Sequence, residues 1–402
     1  MTKTRRHLHT IPELLYDLPE TSSYVREVLD ELRIPYKYPV AQHGIVATVG
    51  KEEPVFALRS DMDALPILEE VAADTQAFES TKQGHMHACG HDTHMTMLLG
   101  AARLLKAREA AGQLRGSVRL LFQPAEEGGA GGRAMVSEGA LQGVAGAHAI
   151  HVWPGLPSGT IASRAGTIMA AADRFWVRVS GRGGHGAMPH LAVDPVVAAA
   201  AAVGALQPLV ARETSPTTSA VVTVAEFNTG PGAPNVIPDA VELSGTVRAL
   251  TAEHFERLKS RVAQVITLTA KAHGCMVALR WGNTAYGPTV NARAMVAHVQ
   301  AAVQSLGSEA TWTALEEPTM AAEDFSFIAD VVPAAMSFLG IRNETVGSVH
   351  GLHTPRFRMD EAQLPVGAAL HAAVALEFLG SGAAAAAGAA RDVTGAACAA
   401  EL

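Results

Sequence analysis

The most chemically distinctive stretch of the sequence is HMHACGHDTH, residues 85–94, which contains four histidines and a cysteine. Imidazole nitrogen and thiolate sulfur are ligands that borderline-soft divalent metals prefer. Cys89 and His91 are the pair best suited to bind a metal, because a loop that opens a helix can spread both side chains toward one ion. The alternative, a buried cysteine beside a capping histidine, fits the density of histidines less well.

The other polar residues of this stretch are expected to support the site. His85 and His87 would lie outside the ligand set, and His94 would pack along the helix. Asp92 could orient a ligand imidazole through the second ring nitrogen, as metal sites commonly require.

Two adjacent glutamates, Glu126 and Glu127, form a second motif in the segment QPAEEGG. We expect their side chains to diverge, so that one binds metal and the other faces substrate. Metal-dependent hydrolysis needs this division, because one carboxylate holds the ion and another takes a proton from water. A solvated acidic turn before glycines explains the pair equally well when the motif is taken alone.

Isolated candidates follow further along the chain. His151 lies in HAIHVWP and His353 in HGLHTP. Either histidine alone would more often be an ordinary core residue than a ligand. Asp61 and Asp63 could likewise form only a turn.

The predicted secondary structure places several of these residues at or just after the ends of strands. Strands at residues 54–58, 117–122 and 145–151 each precede ligand-type side chains, and residues 93–108 have helical periodicity. Open α/β sheets form their sites at the carboxyl ends of the strands. We therefore predict one shared site. Helices over residues 10–16 and 21–32 are expected before the first strand.

The middle of the chain predicts a second domain. Residues 171–284 read as β-α-β-β-α-β, the order of a ferredoxin-like unit. We predict an α/β fold in which a mixed-sheet catalytic domain, residues 5–170 and 285–380, carries this inserted α+β domain. The Ala/Gly-rich residues 381–402 are expected to form a disordered tail.

The predicted insert contains its own candidates. His185 lies in the glycine-rich loop GRGGHGAMPH, where a flexible backbone could bring an imidazole onto a substrate, although an ordinary hairpin loop is also possible. Asn235 and Arg248 lie at the ends of elements in the same domain. Arg248 could bind a carboxylate through two parallel hydrogen bonds.

The amino-acid composition limits the classes of partner that we expect. The net charge is −8 and no basic cluster is evident, so we expect neither nucleic acid nor membrane partners. The three cysteines are far apart, which argues against a disulfide framework. We find no signal or retention sequence, so the location is left open, with the cytoplasm as the default expectation.

The motifs MHACGHD, FQPAEEG, GGHGAMPH, NVIPD and AEDFSF, in this order, resemble the dinuclear metallopeptidase and amidohydrolase family of aminoacylases, carboxypeptidases and hippurate hydrolase. The resemblance extends from about Arg5 to Gly380. Three further strings, SRAGTIMAAADRF, LVARETSP and DEAQLPVGAALHAAVA, are most similar to the plant auxin-conjugate amidohydrolases, which cleave indole-3-acetyl-amino acids.

The resemblance implies a role for each candidate. The implied metal ligands are Cys89, His91, Glu127, His151 and His353. It implies that Glu126 is the general base and that Asp63 supports the site. The insert would be a lid and dimerisation domain, His185 would stabilise the oxyanion, and Asn235 and Arg248 would hold the end of the substrate.

The expected cofactors are two divalent metal ions, with Mn²⁺ favoured and Zn²⁺ possible, and the expected substrate is a small N-acyl amino acid. Hippurate hydrolase, general aminoacylase or carboxypeptidase activity remains an alternative. A zinc deaminase is excluded, because His254 and Glu256 form a His-x-Glu pair but the sequence has no Cys-x-x-Cys. A catalytically dead, metal-dependent binder of acyl-amino acids is the non-enzymatic alternative.

Overall fold

The computed structural model describes residues 1–72 and 75–381, which separate into two compact units. The first unit contains Met1–Ile168, Val290–Glu317 and the residues from Asp324 onward, and the second contains Met169–Thr289 and Pro318–Glu323. The helices are, in chain order, α1 (Thr2–Thr10), α2 (Pro19–Glu31), α3 (His91–Ala110), α4 (Gly131–Ser137), α5 (Pro195–Ala211), α6 (Ala252–Ala272), α7 (Arg293–Ser305), α8 (Ser326–Ala329) and α9 (Leu364–Gly380).

The strands are β1 (Tyr36–Val40), β2 (Gly44–Val49), β3 (Val55–Asp61), β4 (Ser117–Gln123), β5 (Val144–Pro157), β6 (Thr160–Ser163), β7 (Gly166–Met169), β8 (Ala171–Ser180), β9 (Gly184–His185), β10 (Ala220–Asn228), β11 (Val236–Ile237), β12 (Ala240–Ala249), β13 (Met276–Trp281), β14 (Thr289–Asn291), β15 (Thr311–Ala314) and β16 (Ala334–Arg342).

The first unit is built on a mixed sheet in the order β1-β2-β4-β3-β5-β16-β6-β15. Its centre is parallel, because β3 pairs in parallel with β4 and β5, and β5 pairs in parallel with β16. Every residue of β3 is buried, as a strand covered on both faces requires. The carboxyl ends of β3, β4 and β5 consequently lie at one edge of the sheet, as the sequence predicts.

The core of the first unit includes side chains from α3, α7, α9 and the central strands. Residues Glu361–Gly380, which include α9, are long and apolar enough to cross a membrane by length and composition. However, 61% of the apolar window is buried inside the protein, and α9 packs against α3, α7 and β3, as the core helix of a globular domain does.

The second unit has an antiparallel sheet in the order β10-β12-β8-β13, which is second-third-first-fourth along the chain. Buried and less buried residues alternate along β8, and α5 and α6 pack with the buried side chains in one core. This is the β-α-β-β-α-β unit predicted for residues 171–284.

The second unit also includes Pro318–Glu323, a segment outside the predicted residues 171–284. The backbone N–H of Ala170 donates to the carbonyls of Thr319 and Ala321, and Arg248 donates to the carbonyl of Met320. These hydrogen bonds join residues distant in sequence, so no local pattern predicts them.

Near the N-terminus, one prediction is wrong and one strand is not predicted. The first helix is Thr2–Thr10 rather than residues 10–16, since Pro12 disfavours a helical conformation at Ile11 and cannot donate a helical hydrogen bond. Strand β1 was missed because it contains Pro39, although an edge strand tolerates proline. The predicted disordered tail lies outside the described residues, apart from Ser381, which caps α9.

We predict that Gly90→Ala destabilises the protein more than Gly112→Ala. Both glycines flank α3 with positive φ, 88° and 67°, which costs an L-residue about 1–2 kcal/mol. A Cβ at Gly90 would also lie 2.6 Å from Val152 Cγ2, whereas a Cβ at Gly112 would meet nothing within 4 Å. Overpacking adds about 1–3 kcal/mol. Chemical denaturation measures both variants, and equal destabilisation would contradict the packing at Gly90.

Candidate metal centre

Cys89 and His91 of the HMHACGHDTH motif are positioned by the loop before α3. Gly90 occupies the left-handed conformation between them and leaves His91 as the first residue of the helix. The backbone N–H of His353 donates to the carbonyl of Ala88 at 2.8 Å. This hydrogen bond holds the loop of His353 beside Cys89, although the two loops are far apart in sequence.

Five side chains predicted to bind metal lie together in the first unit. Cys89 Sγ lies 3.4 Å from His151 Nε2 and 3.3 Å from His353 Nε2. Glu127 Oε1 lies 3.1 Å from His353 Nε2 and 3.9 Å from His91 Nε2. Such overlapping groups of sulfur, nitrogen and carboxylate donors could hold metal ions.

The glutamate pair is held by Asp63. Its two carboxylate oxygens accept the backbone N–H groups of Glu126 and Glu127 at 2.9 and 3.1 Å. Ala125 turns the chain with a positive φ of 55°. One carboxylate oxygen of each glutamate consequently lies within 4.8 Å of a ring nitrogen of His91. The predicted divergence of the two side chains is therefore wrong, because this turn directs both toward His91.

Hydrogen bonds determine which nitrogen of His151 is available. Its Nδ1 lies 2.8 Å from the carbonyl oxygen of Val152. Since a carbonyl only accepts, Nδ1 carries the hydrogen and Nε2 presents its lone pair toward Cys89. This is the arrangement that a metal-binding imidazole requires.

The cluster also contains buried polar atoms that lack partners. Among residues 1–72 and 75–381, the two ring nitrogens of His91 have no hydrogen-bond partner, although both are buried. The nearest carboxylates to His91 belong to Asp63, 3.5 Å from Nδ1, and Asp61, 3.6 Å from Nε2. Leaving such atoms unpaired is costly, and a metal ion would satisfy them. The residues present therefore fit a metal centre.

The electrostatics of the cluster also favour a cation. Burial lowers the pKa of His91, but the fields of Asp61, Asp63 and Glu127 outweigh it and raise the pKa to about 10. Burial, together with the negative charge of Glu127 and other carboxylates, raises the pKa of the Cys89 thiol well above its usual range. Both groups are therefore protonated at neutral pH when no metal ion replaces their protons.

Behind the cluster lies a buried polar network. Asp61 Oδ1 accepts a hydrogen bond from His94 Nδ1 at 2.7 Å, and Asp61 Oδ2 accepts one from Arg59 Nη1 at 2.8 Å. Arg59 also donates to Gln123 and Asp324. The sequence signal for this network is the two-residue spacing of Asp61 and Asp63 at the end of β3. The spacing does not predict the partners, because the network joins residues from four separate segments of the chain.

The prediction for Asp92 is wrong. Its carboxylate lies 2.7 Å from His9 Nδ1 and 3.0 Å from Arg5 Nε, both on α1. Asp92 therefore anchors the N-terminal helix and does not orient a ligand imidazole.

Two of the three candidates in the second unit lie next to each other. His185 is exposed and pairs with Val236 in the β9–β11 ribbon, and the N–H of Gly186 donates to the carbonyl of Asn235 at 2.7 Å. His185 and Asn235 are thus adjacent. Arg248 lies on β12, where it is half-buried and donates to the carbonyl of Met320 at 2.7 Å.

Comparison with known proteins identifies the family. Residues 57–377 match the family described as Peptidase family M20/M25/M40. The chain belongs to this family. It is 45% identical to IAA-amino acid hydrolase ILR1-like 2 of Arabidopsis thaliana over 94% of this chain and 85% of that protein. It is 36% identical to N-acetyl-L-cysteine deacetylase of Bacillus subtilis over 90% of this chain and 83% of that protein.

A solved structure of a dinuclear metal-binding M20 peptidase from Bacillus subtilis is also similar. It superposes with a TM-score of 0.79 at 32% identity and covers 94% of this chain and 97% of that chain. The resemblance predicted from the motifs is therefore confirmed, and so is the mixed α/β fold. The family assignment makes this M20 protein a hydrolase with a metal centre.

We predict that divalent metal binds more tightly as the pH rises from about 6 to about 8, since binding releases protons. The pKa values of His91 and Cys89 are raised, so both groups are protonated over this range and must each lose a proton to act as ligands. Calorimetric titration of the metal-free protein in buffers of different ionisation enthalpy counts the released protons. An affinity independent of pH, with no proton release, would contradict these assignments.

Proposed function

We propose that this M20 protein is a metal-dependent amidohydrolase that cleaves N-acyl amino acids to a free acid and an amino acid. The observation that carries the proposal is the convergence of Cys89, His91, Glu127, His151 and His353 beside the buried Glu126. Indole-3-acetyl-amino acids are the proposed first substrates, supported by the Arabidopsis relative named above.

The proposed cofactors are two divalent metal ions, Mn²⁺ first and Zn²⁺ second, held by these five ligands. The donor set of one thiolate, imidazoles and a carboxylate is compatible with both metals. When bound, the ions would polarise the substrate carbonyl and lower the pKa of water.

The proposed base is Glu126. Glu126 is 6% exposed, and its Oε1 lies 3.4 Å from the backbone nitrogen of Asp324. In the proposed reaction, Glu126 takes a proton from water as the water oxygen bonds to the carbonyl carbon. Glu126 then gives that proton to the departing nitrogen as the carbon–nitrogen bond breaks.

His185, Asn235 and Arg248 are proposed to act on the substrate from the second unit, which we propose to be the lid. The N–H of Ala187 donates to His185 Nδ1 at 3.0 Å, so neutral His185 carries its hydrogen on Nε2. That hydrogen is suited to donate to an oxyanion. Asn235 and Arg248 would hold the free carboxylate of the amino acid.

An aromatic acyl group is supported by Trp153, which lies two residues after His151 on the same face of β5. The two rings are edge to face with centroids 6.2 Å apart, and Trp153 also stacks on Phe338 at 4.3 Å. Benzoyl and aliphatic substrates, as in hippurate hydrolase or a general aminoacylase, are the alternatives. A panel of N-acyl amino acids assayed with manganese-loaded protein separates these possibilities, and an absence of turnover on all of them would favour a non-enzymatic binder.

We also propose that the second unit mediates a homodimer. β10 lies at the edge of its sheet, and Phe227 on this strand is 43% exposed. An exposed edge strand can pair with a copy of itself.

We predict that the adjacent glutamates respond differently to the same substitution. Glu126→Gln should lower kcat by about 10²–10⁴-fold and leave the metal content unchanged, because only proton transfer is lost. Glu127→Gln should lower the metal content, because it removes a charged ligand. Metal analysis and a turnover assay on indole-3-acetyl-alanine measure both effects.

The matched control is Glu344→Gln, because the Glu344 side chain is 72% exposed. It should change neither quantity. Near-normal turnover by Glu126→Gln would refute the proposed base, and full metal content in Glu127→Gln would refute the proposed ligand.

We predict that the full chain has the molar mass of a dimer in light scattering. Phe227→Lys should shift it toward the monomer, because a charge on the exposed strand opposes edge pairing. A monomeric wild-type protein would contradict the proposed dimer.

A further inference from the structure

A buried histidine that is not among the proposed ligands packs against two of them. His94 is 1% exposed, and its ring centroid lies 4.7 Å from that of His151 and 5.5 Å from that of His91. The His94 ring therefore limits how far either ligand imidazole can rotate.

Both nitrogens of His94 already have partners. Nδ1 lies 2.7 Å from Asp61 Oδ1, and Nε2 accepts the backbone N–H of Val152 at 3.0 Å. Because a backbone N–H only donates, Nε2 carries the lone pair and Nδ1 carries the hydrogen. Asp61, His91 and His94 are close enough together to hold an ion, but His94 would have to break one of these bonds to bind it.

The backbone of Val152 connects His94 to the proposed ligand His151. Its N–H donates to His94 Nε2, and its carbonyl accepts Nδ1–H of His151 at 2.8 Å. The hydrogen bond that leaves His151 Nε2 available to metal is therefore made by a residue that His94 itself holds.

Asp61, the other partner of His94, is also held by neighbouring side chains. Asp61 is fully buried and lies 2.8 Å from Arg59 Nη1, and Arg59 Nη2 lies 2.8 Å from Asp324. The series from Arg59 through Asp61, His94 and Val152 to His151 is continuous within the first unit. Outer hydrogen-bonding partners of this kind orient metal ligands and support their affinity.

We propose that His94 is a positioning residue, which holds the backbone of Val152 and thereby fixes the ring orientation and tautomer of His151 for metal binding. This inference rests on the proposed function only in taking His151 as a metal ligand.

The test compares His94→Phe with His94→Gln. Phenylalanine keeps an aromatic ring but loses both hydrogen bonds, whereas glutamine can still accept the N–H of Val152. The matched control is His148→Phe, which removes another buried histidine, located on β5, whose Nε2 lies 3.0 Å from Ser337 Oγ. Co²⁺ titration of the metal-free proteins, followed by thiolate-to-cobalt absorption, measures affinity, and circular dichroism melts monitor folding.

We expect His94→Phe to weaken Co²⁺ binding at one site by about 10–100-fold and to alter the cobalt spectrum. His94→Gln should restore part of the affinity, and His148→Phe should lower only the melting temperature. If His94→Phe does not fold, comparing His94→Gln with His148→Gln decides the question, because only the former should change the cobalt spectrum.

Wild-type affinity and an unchanged spectrum in the folded His94 variants would overturn the positioning role and leave the proposed function intact. A wild-type protein that binds no Co²⁺ would instead overturn the proposed ligand set, and this inference with it.

Discussion

The concentration of buried carboxylates around His91 is the constraint on which the rest of the site depends. Asp61 and Asp63 lie within 3.6 Å of the two ring nitrogens of His91, and Glu127 lies 3.9 Å away. Removing this much negative charge from water is unfavourable unless positive charge accompanies it. The raised pKa values of His91 and Cys89 express the same requirement, because the protein retains protons where cations would bind.

The fold creates this concentration by bringing strand ends together. β3 delivers Asp61 and Asp63, β4 leads into Glu126 and Glu127, and β5 carries His151. Parallel neighbours in the centre of the sheet make these ends coincide, and a backbone hydrogen bond brings the loop of His353 to Cys89. Asp63 contributes twice, since its carboxylate both faces His91 and holds the turn of the glutamates.

The predictability of each feature from sequence follows from how local its cause is. The strand exits and the β-α-β-β-α-β order were predicted because hydrophobic periodicity and chain order reflect local geometry. The glutamate turn was mispredicted, since its direction depends on Asp63, which is distant in sequence. The same is true of Asp92, whose partners on α1 no spacing near residue 92 indicates. The sequence predicts that His94 packs along the helix. It does not predict the hydrogen bonds of His94 to Asp61 and Val152, because these join residues of α3, β3 and β5.

Two layers of the first unit thus cooperate around the proposed metal centre: a layer of donors and, beneath it, a hydrogen-bonded layer that orients them. We propose that the donors hold a pair of ions. The most direct test is anomalous diffraction from crystals of the manganese-loaded protein. We predict two peaks about 3.5–4 Å apart, bounded by Cys89, His91, Glu127, His151 and His353. A map without anomalous density among these five residues would contradict it.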